Sequence, residues 1–311
     1  MKKKVLVVWF SQTGQLKRIA DSLCAPLAAD PDVELTWQRL EPATPYPFPW
    51  PFFAFFDQFP EAAHGIAPVL KPLSLSGSER YDLVILAYTV WFLSPCPPLT
   101  AFLKSDTGRA VVRDTPVITL IACRNMWLMA QEQVKALLAD AGAKHCDNVV
   151  LTDSGSSLAT FITTPRWMFT GRSDPVWGFP AAGIAPADVA GASRFGEALL
   201  AALRAGRIEG RTPVLAGLGA ARVDDRLIAS EKIGRRSFQI WGKLVRKAGA
   251  QGDPRRRVVL GIYAAFLILM IVTIVPLSML IRALLRPLLA ARLARARHYF
   301  ELPSGSSAER L

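Results

Sequence analysis

"VLVVWFSQTGQLKRIADSL", residues 5–23, carries an unbroken apolar run into a Ser-Gln-Thr-Gly turn and out into a second kind of pattern. The run Lys4–Phe10 is continuous, β-branched and aromatic, which predicts a strand covered on both faces. From Gly14 to Ala28 apolar residues return at helical spacing (Leu16, Ile19, Ala20, Leu23 and Leu27), and the pattern breaks at Pro31. Between them the turn offers a row of backbone N–H groups from Ser11 to Leu16, hydroxyls on Ser11 and Thr13, a glycine at 14 and the positive end of a helix dipole. These are the parts of an anion site.

The same rhythm continues. Val33–Leu40, Tyr81–Tyr88, Pro116–Ala122 and Lys144–Thr152 read as further strands, with helices over Met126–Gly142 and Asp188–Ala205. Strands alternating with helices predict an α/β fold with a doubly wound parallel sheet, whose ligands sit at the carboxyl ends of the strands. Two insertions interrupt it. Residues 41–65, "EPATPYPFPWPFFAFFDQFPEAAHG", are rich in proline and aromatics, and Asp153–Gly183 contains "TTPRWMFTGRSDPVWGF". Loops of this length are usually functional or docked on something.

Charge divides the chain. Residues 1–229 hold 22 Lys and Arg against 21 Asp and Glu, and residues 230–311 hold 15 against 4. Within the basic part, Val258–Ile281 is 24 residues without a charge, long enough to cross a bilayer. Its flanks are both basic, with nine Lys and Arg over 232–257 and five over 282–297. A span, with the N-terminal domain in the cytoplasm, is the first reading; a hairpin or interfacial dock is the second, and an external domain the third. Membrane lipid, and no nucleic acid, is the expected charged partner. The segment 224–249 mixes apolar and basic residues as an interfacial helix does. The domains expected are 1–206, a basic amphipathic linker or interfacial helix 207–257, a transmembrane or membrane-inserted helix 258–281 and a basic amphipathic tail 282–311. Cys24, Cys96, Cys123 and Cys146 form no Cys-x-x-Cys pair and imply a reducing compartment. Three dispersed histidines offer no metal-ligand spacing.

The commoner nucleotide loops do not match. No Gly-x-x-x-x-Gly-Lys-Ser/Thr is present, and "GLGAAR" at Gly217–Arg222 ends in arginine and reads as a loop. Strand, Ser-x-Thr-Gly-x and helix at the N-terminus instead resemble the FMN phosphate loop of the flavodoxin-like family. The resemblance covers about residues 4–206 and implies a flavodoxin-like, doubly wound, five-stranded parallel sheet, followed here by a C-terminal membrane-anchoring helical region. It implies that Ser11, Gln12, Thr13, Gly14, Gln15 and Leu16 surround the FMN phosphate, Leu16 standing where the family usually has a hydroxyl. Thr89, Val90, Trp91 and Phe92, and likewise Cys123, Arg124 and Asn125, would flank the isoalloxazine ring. Trp127, Arg166 and Trp167 are the candidate substrate contacts. For Trp91 and Trp127, core packing is an equal reading of the residue type.

"CRNMWLMAQE", "ITTPRWMFTGR" and "DDRLIASEKIGRR" together look like the flavodoxin-like proteins encoded with ketosynthases in dialkylresorcinol and aryl-polyene pathways. That resemblance implies an FMN-dependent oxidoreductase at the inner membrane, flavin domain on the cytoplasmic side, which aromatises a cyclic dione to a resorcinol. It also implies a lipophilic ring substrate and a ketosynthase partner. An NAD(P)H-dependent quinone reductase and an FMN-free scaffold recruiting a ketosynthase are the alternatives. Cys123 beside Arg124 is a candidate nucleophile as well as a small apolar filler.

Overall fold

In the computed structural model, residues 2–208 and 213–311 are described, without the side chains of 275, 276 and 278–288. Parts of the expected linker, membrane helix and tail therefore fall outside the described residues. The strands are β1 (Lys3–Trp9), β2 (Val33–Arg39), β3 (Leu83–Trp91), β4 (Ser94–Pro95), β5 (Pro116–Cys123) and β6 (Lys144–Thr152). The helices up to the second insertion are α1 (Gln15–Ala28), α2 (Phe52–Phe56), α3 (Phe59–His64), α4 (Pro97–Lys104), α5 (Asp106–Val112), α6 (Leu128–Asp140) and α7 (Ser157–Thr170). There follow α8 (Pro186–Ala190), α9 (Ser193–Arg204), α10 (Ile228–Ala248), α11 (Pro254–Val272) and α12 (Ile274–Glu301).

Five strands pair in parallel in the order β2-β1-β3-β5-β6, with Val5 opposite both Leu35 and Leu83. Counting only these long strands, this is the 2-1-3-4-5 order of the flavodoxin-like fold, and strand order reverses between β1 and β3. Alternation along β1 builds both cores. Val5 and Val7 meet Leu16, Ile19 and Leu23 of α1 and Phe195 and Leu199 of α9, whereas Leu6 and Val8 belong with Phe102, Val134 and Leu138 of α4 and α6. The short β4 is an antiparallel hairpin return from the end of β3.

Three expectations change. Asp188–Ala205 is two helices, α8 and α9, because the chain turns at Gly191 and the α8 carbonyl of Ala190 accepts the Ser22 hydroxyl of α1 (2.9 Å). The apolar run Val258–Ile281 is divided between α11 and α12 at Thr273. Pro276, in the next turn, has no N–H for the carbonyl of Val272. Among the described residues no helix is long and apolar enough to cross a membrane. Within the expected linker or interfacial helix of 207–257 lies the 21-residue α10, which buries Ile228, Glu231, Gly242 and Val245. Finally, the tail folds back on the sheet edge. Ala221 N–H donates to the Gly305 carbonyl (3.0 Å), Val150 N–H donates to Ala220 (2.8 Å), and the buried Asp147 accepts the Val214 amide and the Ser304 hydroxyl (both 2.8 Å). This covers β6, which would otherwise be an open edge.

Candidate functional site

The turn of residues 11–14 leaves β1 at the carboxyl edge, where Phe10 N–H still donates to Ala87 of β3 (3.3 Å). Gly14 sits at φ +79°, a left-handed conformation that favours glycine, and α1 starts there with no side-chain cap. The Ser11 hydroxyl is buried and makes no hydrogen bond. Among the described residues the amides of Ser11, Gln12, Thr13 and Gly14 have no backbone partner, and Gln15 N–H reaches only the Thr13 hydroxyl at 3.5 Å. A buried orphan hydroxyl beside a row of free N–H groups at a helix N-terminus fits a bound anion.

The glutamine side chains do something else. Gln12 Nε2 donates to the Pro47 carbonyl (2.9 Å), and Gln15 Oε1 accepts the Ile184 amide (3.2 Å). Each ties one insertion to the turn. Where the second insertion ends, Gly183 takes φ +105°, and a Cβ there would stand 2.6 Å from Gln15 Nε2 and 3.1 Å from the Trp167 ring. Asp153 holds the base of this insertion by accepting the Gly183 amide (2.6 Å). The two insertions also join each other, since Trp50 N–H donates to Met168 of α7 (2.8 Å). Leu16 is 1% exposed and packs on the sheet, so its apolar character serves the core.

Beneath this cover lies a cavity of about 200 Å³, lined by Gln12, Thr13, Thr89, Trp91, Arg124 and Trp167, among others. Its floor is the end of β3. Phe92 and Leu93 both have positive φ (50° and 58°), as the two central residues of a type I′ hairpin turn between β3 and β4 do. Neither is glycine, and such strain gathers at functional sites. Trp91 is 9% exposed and stacks among Phe10, Tyr46 and Trp50 at 5.0–6.0 Å between centroids. The aromatic insertion is therefore largely docked on the carboxyl edge, leaving Phe52 and Phe53 exposed.

Arg124 faces both this cavity and a neighbouring cleft. Its guanidinium lies 4.2 Å from the Phe161 ring centre and donates to Asn125 Oδ1 (3.3 Å). Burial pulls its pKa down, with Cys123 and Asp153 acting the other way, and among the described residues no carboxylate lies within ion-pair distance. A half-buried cation without an ionic partner is a ready receiver for an oxygen or an anion. Burial, then Glu231, raises the pKa of the Cys123 thiol, which favours the apolar-filler reading over the nucleophile.

Two of the expected substrate contacts lie elsewhere. Trp127 is 2% exposed within the core beneath α6. The Arg166 guanidinium pairs with Asp174 (2.8 Å) outside the cavity. Thr89, Val90, Phe92, Cys123 and Trp167 do line the cavity, while Asn125 lines the cleft. The sequence reading missed Asp153, at the end of β6, and Thr164 and Met168, which join the wall because α7 folds over it. The Thr89 and Thr164 hydroxyls are further buried orphans there.

Neither a protein-family model nor a curated protein sequence matches the chain. Similar solved structures include a flavoprotein from Lactobacillus acidophilus in complex with FMN, 16% identical over 48% of this chain and 93% of that one, with a TM-score of 0.37. A flavodoxin from the domain Archaea is 9% identical over 65% and 99%, with a TM-score of 0.36. An azoreductase is 13% identical over 62% and 98%, with a TM-score of 0.35. At these scores the strand order of the sheet itself, and not the neighbours, carries the fold.

Proposed function

We propose that the chain binds FMN and acts as an oxidoreductase on a lipophilic ring, in particular aromatising a cyclic dione to a resorcinol in dialkylresorcinol or aryl-polyene biosynthesis. The observation that carries the flavin reading is the unpartnered Ser11 hydroxyl and the free amides of the 11–14 turn, placed where strand order reverses. The turn would hold the phosphate. Val90, Phe92, Cys123 and Arg124 belong to the walls of both the cavity and the cleft and are the residues that would meet a ring. FMN bound there would supply a two-electron acceptor for the hydride that a cyclohexanedione must lose, together with a proton, to become a resorcinol. Arg124 would hold a substrate oxygen. The joined insertions, through Gln12, Gln15 and Trp50, would keep water out.

The same proposal seats the protein at the inner membrane, flavin domain on the cytoplasmic side, resting on the lipid rather than crossing it. Val258, Ile262, Leu269 and Val272 are exposed along one stripe of α11, and Ile233, Ile240 and Leu244 are exposed on α10 among basic residues. Such helices lie in a membrane interface. A ketosynthase supplying the dione is the proposed protein partner.

The test is the visible absorption of detergent-purified protein before and after incubation with FMN. A retained flavin band released as FMN on denaturation, with bleaching on addition of a cyclic dione, is the expected result. Colourless protein that still binds a ketosynthase would replace it with the scaffold reading. Oxidation of NAD(P)H with quinones alone would replace it with the quinone reductase.

A further inference from the structure

Beyond the shared wall of Val90, Phe92, Cys123 and Arg124, a second space of about 320 Å³ runs away from the turn. The Arg124 guanidinium, stacked on Phe161 of α7, stands in its wall, and the rest of the lining is mainly apolar, with Leu227 just before α10, Gly234 and Phe238 of α10, and Leu267 and Ile271 of α11. Gly234 lets α10 approach the β3–β4 turn closely at the cleft wall, since a Cβ there would stand 3.0 Å from Leu93 Cδ1. On α11, the lining residues Leu267 and Ile271 adjoin in sequence Ile268 and Val272, which are 58% and 67% exposed. The cleft thus has a half-buried cation in its wall and exposed apolar residues next to two of its lining residues.

We propose that this cleft is a binding site for the hydrocarbon chain of an amphiphilic substrate whose oxygen-bearing ring rests against Arg124. The inference rests on the flavin reading for the ring's chemistry, but not for the chain's place. An apolar slot with a cation in its wall suits a single-tailed molecule with one polar end: the tail removes its methylenes from water, and the head satisfies a cation that the protein leaves unpaired. Because the apolar surface of α11 adjoins the cleft, a molecule dissolved in lipid reaches it without exposing its chain.

The probe is a series of redox-inert 4-alkylphenols, from ethyl to decyl, titrated by tryptophan fluorescence into the full chain with and without FMN. Affinity should rise about fourfold per methylene and level off when the cleft is full. Gly234→Leu puts a side chain into the cleft, with the Leu93 side chain giving way by a few tenths of an ångström, so the dependence on chain length should be lost. Arg124→Gln should weaken every member of the series by a similar factor. A chain-length dependence that survives Gly234→Leu, or decylphenol binding no tighter than ethylphenol, overturns the proposal. Should the protein fail to retain FMN while the series and the Gly234→Leu response hold, the flavin reading falls and the cleft stands.

Discussion

Replacing Ser11 with alanine should move two measurements in opposite directions. In the free protein the Ser11 hydroxyl is buried without a partner, and it does not cap α1, whose start at Gly14 has no side-chain cap. Removing an unsatisfied buried hydroxyl relieves about 1 to 3 kcal/mol, a rise of about 2 to 5 °C for a chain of 311 residues. The same hydroxyl facing a phosphate would make a hydrogen bond to a charged group, and its loss costs about 1.5 to 3 kcal/mol. FMN affinity should then fall about 10- to 150-fold. The assay pairs a thermal melt of flavin-free protein with a titration of FMN by quenching of its fluorescence. A hydroxyl that served the fold as a cap would instead make the variant less stable by about 1 kcal/mol. That result, with FMN affinity unchanged, would refute the reasoning.

Gly14→Val forces a β-branched residue into φ +79°; the turn must reshape, and FMN binding should weaken by at least about tenfold, with unchanged affinity removing the turn from the site. Burial pushes the Glu231 carboxyl up to about 8, although it accepts the Met129 amide at 2.6 Å. Because the folded value lies above the unfolded one, the folded state holds an extra proton between about pH 4.5 and about pH 8 and loses stability as pH rises through that window. Glu231→Gln should flatten this loss, gaining several kcal/mol over the wild type at about pH 9 and little at about pH 5 in denaturant titrations; parallel pH profiles would count against it. Installing Asn at 92 and Gly at 93 relieves two left-handed residues, and should stabilise the fold by about 1 to 2 kcal/mol while weakening ligand binding at the cavity wall; a destabilised double variant would show that the Phe92 and Leu93 contacts outweigh the strain. Arg256 is fully buried and pairs with Asp57 (2.9 Å) and Glu61 (2.8 Å). Arg256→Met should cost about 3 to 5 kcal/mol by stranding both carboxylates, read as a lower denaturant midpoint, and an unchanged midpoint would show that water reaches them.

The first strand, the anion turn and the first helix were legible from residues 5–23 because each depends on neighbours in the chain. A continuous apolar run, a glycine and a 3.6-residue period are local signals, and the parallel sheet follows from their repetition. The seven residues from 89 to 92 and 123 to 125 were placed at the carboxyl edge by the same logic, since a strand's end is set by its own pattern. For single side chains that logic stopped. Trp127 entered the core and Arg166 found Asp174, partners that periodicity does not name.

Tertiary structure alone decided the rest, through contacts between residues far apart in sequence. Composition marks Val258–Ile281 as one apolar run, but α11 starts with a buried arginine held by Asp57 and Glu61 and then packs Tyr263 on Phe59, so the run is spent partly on the protein's own surface. Glu231 reaches the first turn of α6 across 102 residues, and Ser304 reaches Asp147 across 157. Hydropathy reports how much apolar surface a segment must bury, not against what. The unpaired Arg124, the clasped insertions and the cleft between α7, α10 and α11 are consequences of that second choice.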